Sequence, residues 1–139
     1  MYKRQLDGDA IVDIPCEIWI PAARPDVIHA GNVGRLDAKI VAQGANIPCT
    51  PEAEAALAAR GVLVLPDFIA NAGGVICAAV EYQHGSQSGA FAAIDEKIRA
   101  NIAAVLERVS SDRVLPRDAA IDLARQRIDR AMATRRWDH

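Results

Sequence analysis

Residues 38–65 read AKIVAQGANIPCTPEAEAALAARGVLVL, and this stretch decides the fold class. Its ends, Ala38-Lys39-Ile40-Val41-Ala42 and Gly61-Val62-Leu63-Val64-Leu65, are short, apolar and rich in β-branched residues, as buried strands are. The nearly unbroken hydrophobicity from Val62 to Leu65 suits a sheet covered on both faces. Between the two runs, Thr50 can accept a hydrogen bond from the first-turn amides of a helix, and Pro51 has no amide to leave unpaired. Glu52 and Glu54 lie where a helix dipole favours anions, and Gly61 is a suitable stop. The stretch is a strand-helix-strand unit, whose crossover is expected to be right-handed.

Upstream, Cys16-Glu17-Ile18-Trp19-Ile20 has the same character and predicts another strand. Downstream the periodicity changes. Phe91, Ile94, Ile98, Ile102, Val105, Leu106 and Val109 recur at three- and four-residue spacing, which predicts an amphipathic helix with Ser88 as its expected cap. A second helix is expected after Pro116, with Ile121, Ala124, Ile128 and Ala131 on one face. The polar, small segment Gln83–Gly89 reads as a loop or hinge between the two halves. Strands with a crossover followed by a run of helices make an α/β fold. About three strands form a small parallel sheet with exposed edges, so part of a larger sheet is expected to be missing on one side.

The composition narrows the function classes. The 139 residues fit one ordinary domain, and an apolar fraction of 51% is enough for a core. The formal net charge of -2, with both signs well mixed, gives no basic field for nucleic acid. The Arg-rich end (Arg125, Arg127, Arg130, Arg135, Arg136) also carries Asp122 and Asp129 and reads as a solvated helix face. Cys16, Cys49 and Cys77 form no C-x-x-C pair, which argues against zinc and for reduced thiols. No apolar stretch approaches the roughly 20 residues of a membrane span, and the start from Met1 to Asp9 lacks the apolar run of a signal peptide. A soluble, cytoplasmic protein without a metal site is expected.

Ligands of doubly wound sheets bind beyond the carboxyl ends of the strands. Two segments follow predicted strands directly: Gln43-Gly44-Ala45-Asn46-Ile47-Pro48 and Pro66-Asp67-Phe68-Ile69-Ala70-Asn71-Ala72-Gly73-Gly74-Val75. Each sets an Asn beside small residues, and an Asn side chain offers the acceptor and donors that match a carboxamide or a ribose hydroxyl. Gly73-Gly74 permits close backbone approach and would open the next helix. On composition alone both segments read first as turns.

These motifs, together with Cys16–Ala23, Thr50-Pro51-Glu52-Ala53 and Pro116-Arg117-Asp118-Ala119-Ala120, occur in the order and spacing of one family. The chain resembles the C-terminal region of the glutamate/leucine/phenylalanine/valine dehydrogenases over nearly its whole length. The resemblance implies a partial Rossmann-type NAD(P)-binding domain, its second half at 1–87 and a C-terminal helical extension at 88–139. It also implies a parent enzyme that converts an L-amino acid to a 2-oxo acid and ammonia. In the family, a separate first domain binds the amino acid and supplies a catalytic Lys and Asp, and hydride passes to NAD or NADP. That N-terminal catalytic domain is expected as a missing partner, along with a homo-oligomeric assembly.

Carried over residue by residue, Ala22, Ala23, Asn46 and Asn71 match positions at the nicotinamide-ribose end of the cofactor site. Val75 and Ala78 match positions reaching the substrate side chain. No residue here matches a catalytic one; Lys3, Lys39 and Lys97 fit no catalytic motif. The Gly-rich phosphate loop and its ribose-binding acid are expected before Met1. Gly31-Asn32-Val33-Gly34 resembles part of that fingerprint, but it follows Pro25 and runs into a strand, so it reads as a turn. Ala78 stands where glutamate-specific members carry Ser, and together with Ile76 it follows the branched-chain pattern. The alternatives are an enzyme for branched-chain or apolar amino acids, a non-catalytic nucleotide-binding or interaction module, and a two-helix partner-binding module over 88–136.

Among the other residues, His29, His84 and His139 read as surface positions, and Trp19 and Trp137 as packing residues. Cys77 lacks a His or basic partner and reads as a small buried residue rather than a nucleophile. Glu81, one turn on, reads as a helix-stabilising or interdomain contact. Asp67 has the position of a catalytic acid, but by the resemblance it is a structural strand-end residue.

Overall fold

A computed structural model describes residues 8–134. Lys3 and the polar start, together with Arg135, Arg136, Trp137 and His139, lie outside the described residues. The chain divides into two compact units, one ending at Asp67 and one beginning at Phe68.

The first unit is built on the predicted strand-helix-strand stretch. Strands β1 (Ile18–Trp19), β2 (Ile40–Ala42) and β3 (Leu63–Leu65) form a parallel sheet in that order. Ile18 lies opposite Ile40, and Ile40, Val41 and Ala42 lie opposite Leu63, Val64 and Leu65. Each strand is shorter than its apolar run. At the start of β2 the amides of Lys39 and Ile40 both donate to Glu17 O, so the regular ladder begins only afterwards.

The start of β3 is delayed by the helix before it. Helix α1 (Pro51–Ala59) opens as expected, with Thr50 Oγ1 accepting from the Ala53 amide at 3.3 Å. It closes on Gly61 at φ 78°, with the Gly61 amide bonded to Ala58 O and the Val62 amide to Leu57 O. This paired closure is the Schellman pattern, in which a left-handed Gly removes any Cβ clash. Because the Val62 amide is committed to the helix, the strand starts at Leu63.

The core of this unit gathers Val12, Ile28, Leu36, Val41, Leu57 and Val64, all buried. Trp19 packs against it, as expected of a packing residue. Gly31-Asn32 is a turn that opens a short 3-10 helix, Val33–Arg35, rather than running directly into a strand as expected. Buried Asn32 closes it, accepting from the His29 amide at 2.9 Å and donating to Val27 O at 2.8 Å. It is no phosphate loop.

The second unit is helical: α2 (Asp67–Ala70, whose first residue belongs to the first unit), α3 (Gly73–Tyr82), α4 (Gln87–Asp112) and α5 (Pro116–Thr134). Helix α4 packs on both α3 and α5. Ile69, Val105, Ala119 and Ala120 form its buried centre. The Pro116-Arg117-Asp118-Ala119-Ala120 motif supplies two of these, and the Arg117 guanidinium lies 5.6 Å from the Phe68 ring centre.

Two boundary expectations are corrected here. The cap of α4 is Ser86, whose Oγ accepts from the Gly89 amide at 3.2 Å, and Ser88 lies inside the first turn. The polar segment 83–89 therefore contracts to residues 83–86. His84 takes the left-handed state at φ 58° and closes α3, with its amide on Glu81 O and the Gly85 amide on Val80 O. A Cβ at Gly85 would collide with Val80 Cγ1 and come within 3.0 Å of Val80 O, so any larger residue there requires Val80 to shift.

Candidate functional site

All three strands run parallel, so their carboxyl ends share one edge of the sheet. The segment after β1 and the loop after β2 meet at that edge. The Ala45 amide donates to Pro21 O at 2.8 Å. A Cβ on Gly44 would come within 3.1 Å of Ala22 Cβ and 3.3 Å of Ile20 Cγ2, so any larger residue there would press on both side chains. Ala22 and Ala23 are exposed and line a cavity of about 270 Å³ with Trp19, Ile20 and Val27. Asn46 is exposed on the adjacent loop and is not among the residues lining that cavity.

The loop carrying Asn46 is held from beneath by a buried polar chain. Gln43 Nε2 donates to Glu54 Oε1 at 2.6 Å, and Gln43 Oε1 accepts from the Asp67 amide at 3.3 Å. Asp67 Oδ2 in turn accepts from the Ile47 amide at 2.9 Å. Gln43, Glu54 and Asp67 are all buried. Asp67 thus acts as a strand-end structural residue in this geometry. Glu54, read from sequence as a favourable charge near a helix start, is also a buried acceptor. The signal for this chain was Gln43, a polar residue at the end of an apolar strand, but nothing local names its partners.

In the second unit, Asn71 is half-buried just before α3, and Gly73-Gly74 forms the first turn of that helix as expected. Val75 and Ala78 are exposed and one turn apart on one face. Val75 is 77% exposed and lines a shallow cavity of about 310 Å³ with Ile76, Ala79, Val80, Gln83 and Lys97. The structure describes Ala22, Ala23 and Asn46 in one unit and Asn71, Val75 and Ala78 in the other.

Cys77 is half-buried rather than fully buried, with Sγ 3.7 Å from Glu81 Oε1. Loss of solvent raises its thiol pKa above the usual 9.0, and the Glu81 charge and hydrogen bond push it the same way. Such a thiol is protonated at neutral pH and is a poor nucleophile. His29 and His84 are exposed, and His29 Nδ1 accepts from the Gly31 amide within its turn. Among the described residues, no group of three or more His, Cys, Asp or Glu is placed to hold a metal, and no helix is long and apolar enough to cross a membrane.

The comparisons with known proteins agree with this architecture. The glutamate dehydrogenase of Aeropyrum pernix is 38% identical, the match covering 91% of this chain and 33% of that protein. The NADP(+)-dependent glutamate dehydrogenase of Pyrobaculum calidifontis is 37% identical, covering 95% of this chain and 34% of the relative. The crystal structure of L-tryptophan dehydrogenase from Nostoc punctiforme superposes with a TM-score of 0.82 at 28% identity, over 90% of this chain and 38% of that one. The chain therefore spans about a third of the length of the curated relatives it matches. The family model described as Glutamate/Leucine/Phenylalanine/Valine dehydrogenase matches residues 2–136, and the chain belongs to that family.

Proposed function

We propose that this chain is the C-terminal, cofactor-domain part of a glutamate dehydrogenase-like enzyme. The enzyme carries out NAD(P)-dependent reversible oxidative deamination of an L-amino acid to a 2-oxo acid and ammonia. Residues 1–87 are the second half of the nucleotide-binding domain, and 88–139 extend it with helices. The observation that carries this reading is the seating of Gly44 against Ala22 at the carboxyl edge of a parallel sheet, with exposed Asn46 two residues on.

That edge suits a nicotinamide nucleotide. Ala22 and Ala23 leave room for a flat ring, and the side-chain amide of Asn46 supplies a donor and an acceptor for carboxamide and ribose groups. By the family resemblance Asn71, in the second unit, is a cofactor-binding residue too. The nucleotide, when bound, accepts or returns a hydride. Val75 and Ala78 present an apolar wall to the amino-acid side chain, and Ala78 offers no hydrogen bond to a distal carboxylate, which favours an apolar substrate as the second reading. No residue of this chain is assigned a proton-transfer role. The assembled enzyme is a cytoplasmic homo-oligomer in this reading, and its catalytic Lys and Asp come from another domain.

The test is amino-acid-dependent NAD(P)H formation by the 139-residue chain. None is expected. Measurable turnover would overturn its assignment as an incomplete enzyme.

A further inference from the structure

The loop after β2 contains a residue in a backbone state that its side chain disfavours. Ile47 has φ 49°, in the left-handed region, where a β-branched residue is a genuine outlier. Its side chain is 59% exposed, so burial is not what keeps it there. Both of its backbone polar groups are held instead. The amide donates to Asp67 Oδ2 at 2.9 Å, and the carbonyl accepts from the Asp26 amide at 3.0 Å.

Asp67 is well placed for this task. It is buried at the end of β3, and its own amide is anchored on Gln43 Oε1. The peptide group that Asp67 grips joins Asn46 to Ile47. Fixing that peptide plane fixes the backbone angle ψ of Asn46 and so restricts where its side chain points. Strained backbone states persist where the surroundings over-determine them, and they gather at functional sites.

We propose that Asp67 is a positioning residue for nucleotide binding: its carboxylate holds the Asn46–Ile47 peptide so that Asn46 is presented at the carboxyl edge of the sheet. This rests on the nucleotide-binding reading above, with Asn46 touching the nucleotide and Asp67 acting only through the backbone.

The test is an NMR titration of the isotopically labelled 139-residue chain with millimolar NADH, following the amides of Ala45, Asn46 and Ile47. Asp67→Asn keeps an oxygen acceptor for the Ile47 amide and binds as the parent does. Asp67→Ala removes the acceptor and weakens NADH binding about tenfold, the scale of losing the contact that holds a strained backbone state. Ile47→Gly makes the left-handed state free of strain, so added to Asp67→Ala it restores most of the affinity. Ile47→Pro removes the same donor and, with φ locked at about −65°, cannot take the left-handed state, so it weakens binding at least as much as Asp67→Ala, even where Asp67→Ala does not fold. Unmoved amides of Val41 and Val64 report an intact sheet in each variant.

Unchanged affinity in Asp67→Ala or Ile47→Pro overturns the inference and leaves the nucleotide reading standing. Failure of Ile47→Gly to restore Asp67→Ala also overturns it, because Asp67 would then act by another route. Absence of any NADH-induced shift in the unsubstituted chain overturns both.

Discussion

The side-chain amide of Gln43 bonds the carboxylate of Glu54 at 2.6 Å, with both groups buried, and so ties the end of β2 to helix α1. A hydrogen bond to a buried charged group contributes more than a neutral one, and removing its donor costs the desolvation of the acceptor.

Gln43→Ala is therefore expected to lower stability by about 2–3 kcal/mol. Glu54→Gln keeps an acceptor oxygen and should cost no more than about 1.5 kcal/mol, the range of neutral hydrogen bonds. Urea unfolding followed by circular dichroism measures both. Equal, small losses for the two variants would count against the buried bond as a stabilising contact.

His84 closes α3 in the left-handed state without glycine's freedom. His84→Gly relieves that cost on an exposed side chain and is expected to raise stability by about 0.5–1 kcal/mol. A fall in the unfolding midpoint would show that the imidazole contributes more than the backbone strain removes.

Cys77 gives a prediction with a definite sign in pH. Its folded-state pKa is raised by desolvation and by Glu81, so folding favours the protonated thiol. That contribution is complete below the ordinary value of 9.0 and is lost as pH rises through the folded-state value. At pH near 8, about one unit below the thiol's ordinary range, Cys77 should alkylate more slowly with iodoacetamide than it does in the urea-unfolded chain. Glu81→Gln should accelerate the reaction. Mass-spectrometric peptide mapping separates Cys77 from Cys16 and Cys49, and a Glu81→Gln rate equal to the parent's would remove Glu81 as a cause.

Strand β1 stands at an edge of the sheet, with Ile18 on it 56% exposed and Ile20, just beyond its end, 62% exposed. Unpaired apolar edges invite strand addition. The chain is expected to self-associate as a dimer by light scattering, and Ile18→Lys to shift it toward monomer. A monomeric parent chain at every concentration tested would refute the expectation.

How much was legible from residues alone follows from the range of the interactions. Thr50, Pro51 and Gly61 act on amides within a few positions of themselves, and the β-branched runs around Ile40 and Leu63 mark strands directly, so the strand-helix-strand unit could be read locally. The same holds for the periodic helices after residue 87, although two serines, Ser86 and Ser88, competed for one cap. Ser86 wins because its oxygen reaches the Gly89 amide.

The ordered motifs from Cys16 to Ala120 determined the family. Only the tertiary structure decided how the carboxyl edge of the sheet is held. Asp67 meets Ile47 and Gln43 across twenty or more residues of chain. Chain folding alone sets such contacts, and no local spacing encodes them. Ile47 in particular carries no sequence mark of its left-handed backbone, because the state is imposed by partners that arrive from two other segments. The sequence by itself determined what kind of edge this protein builds, and the long-range bonds to Asp67 and Asp26 decided the backbone state of Ile47 on it.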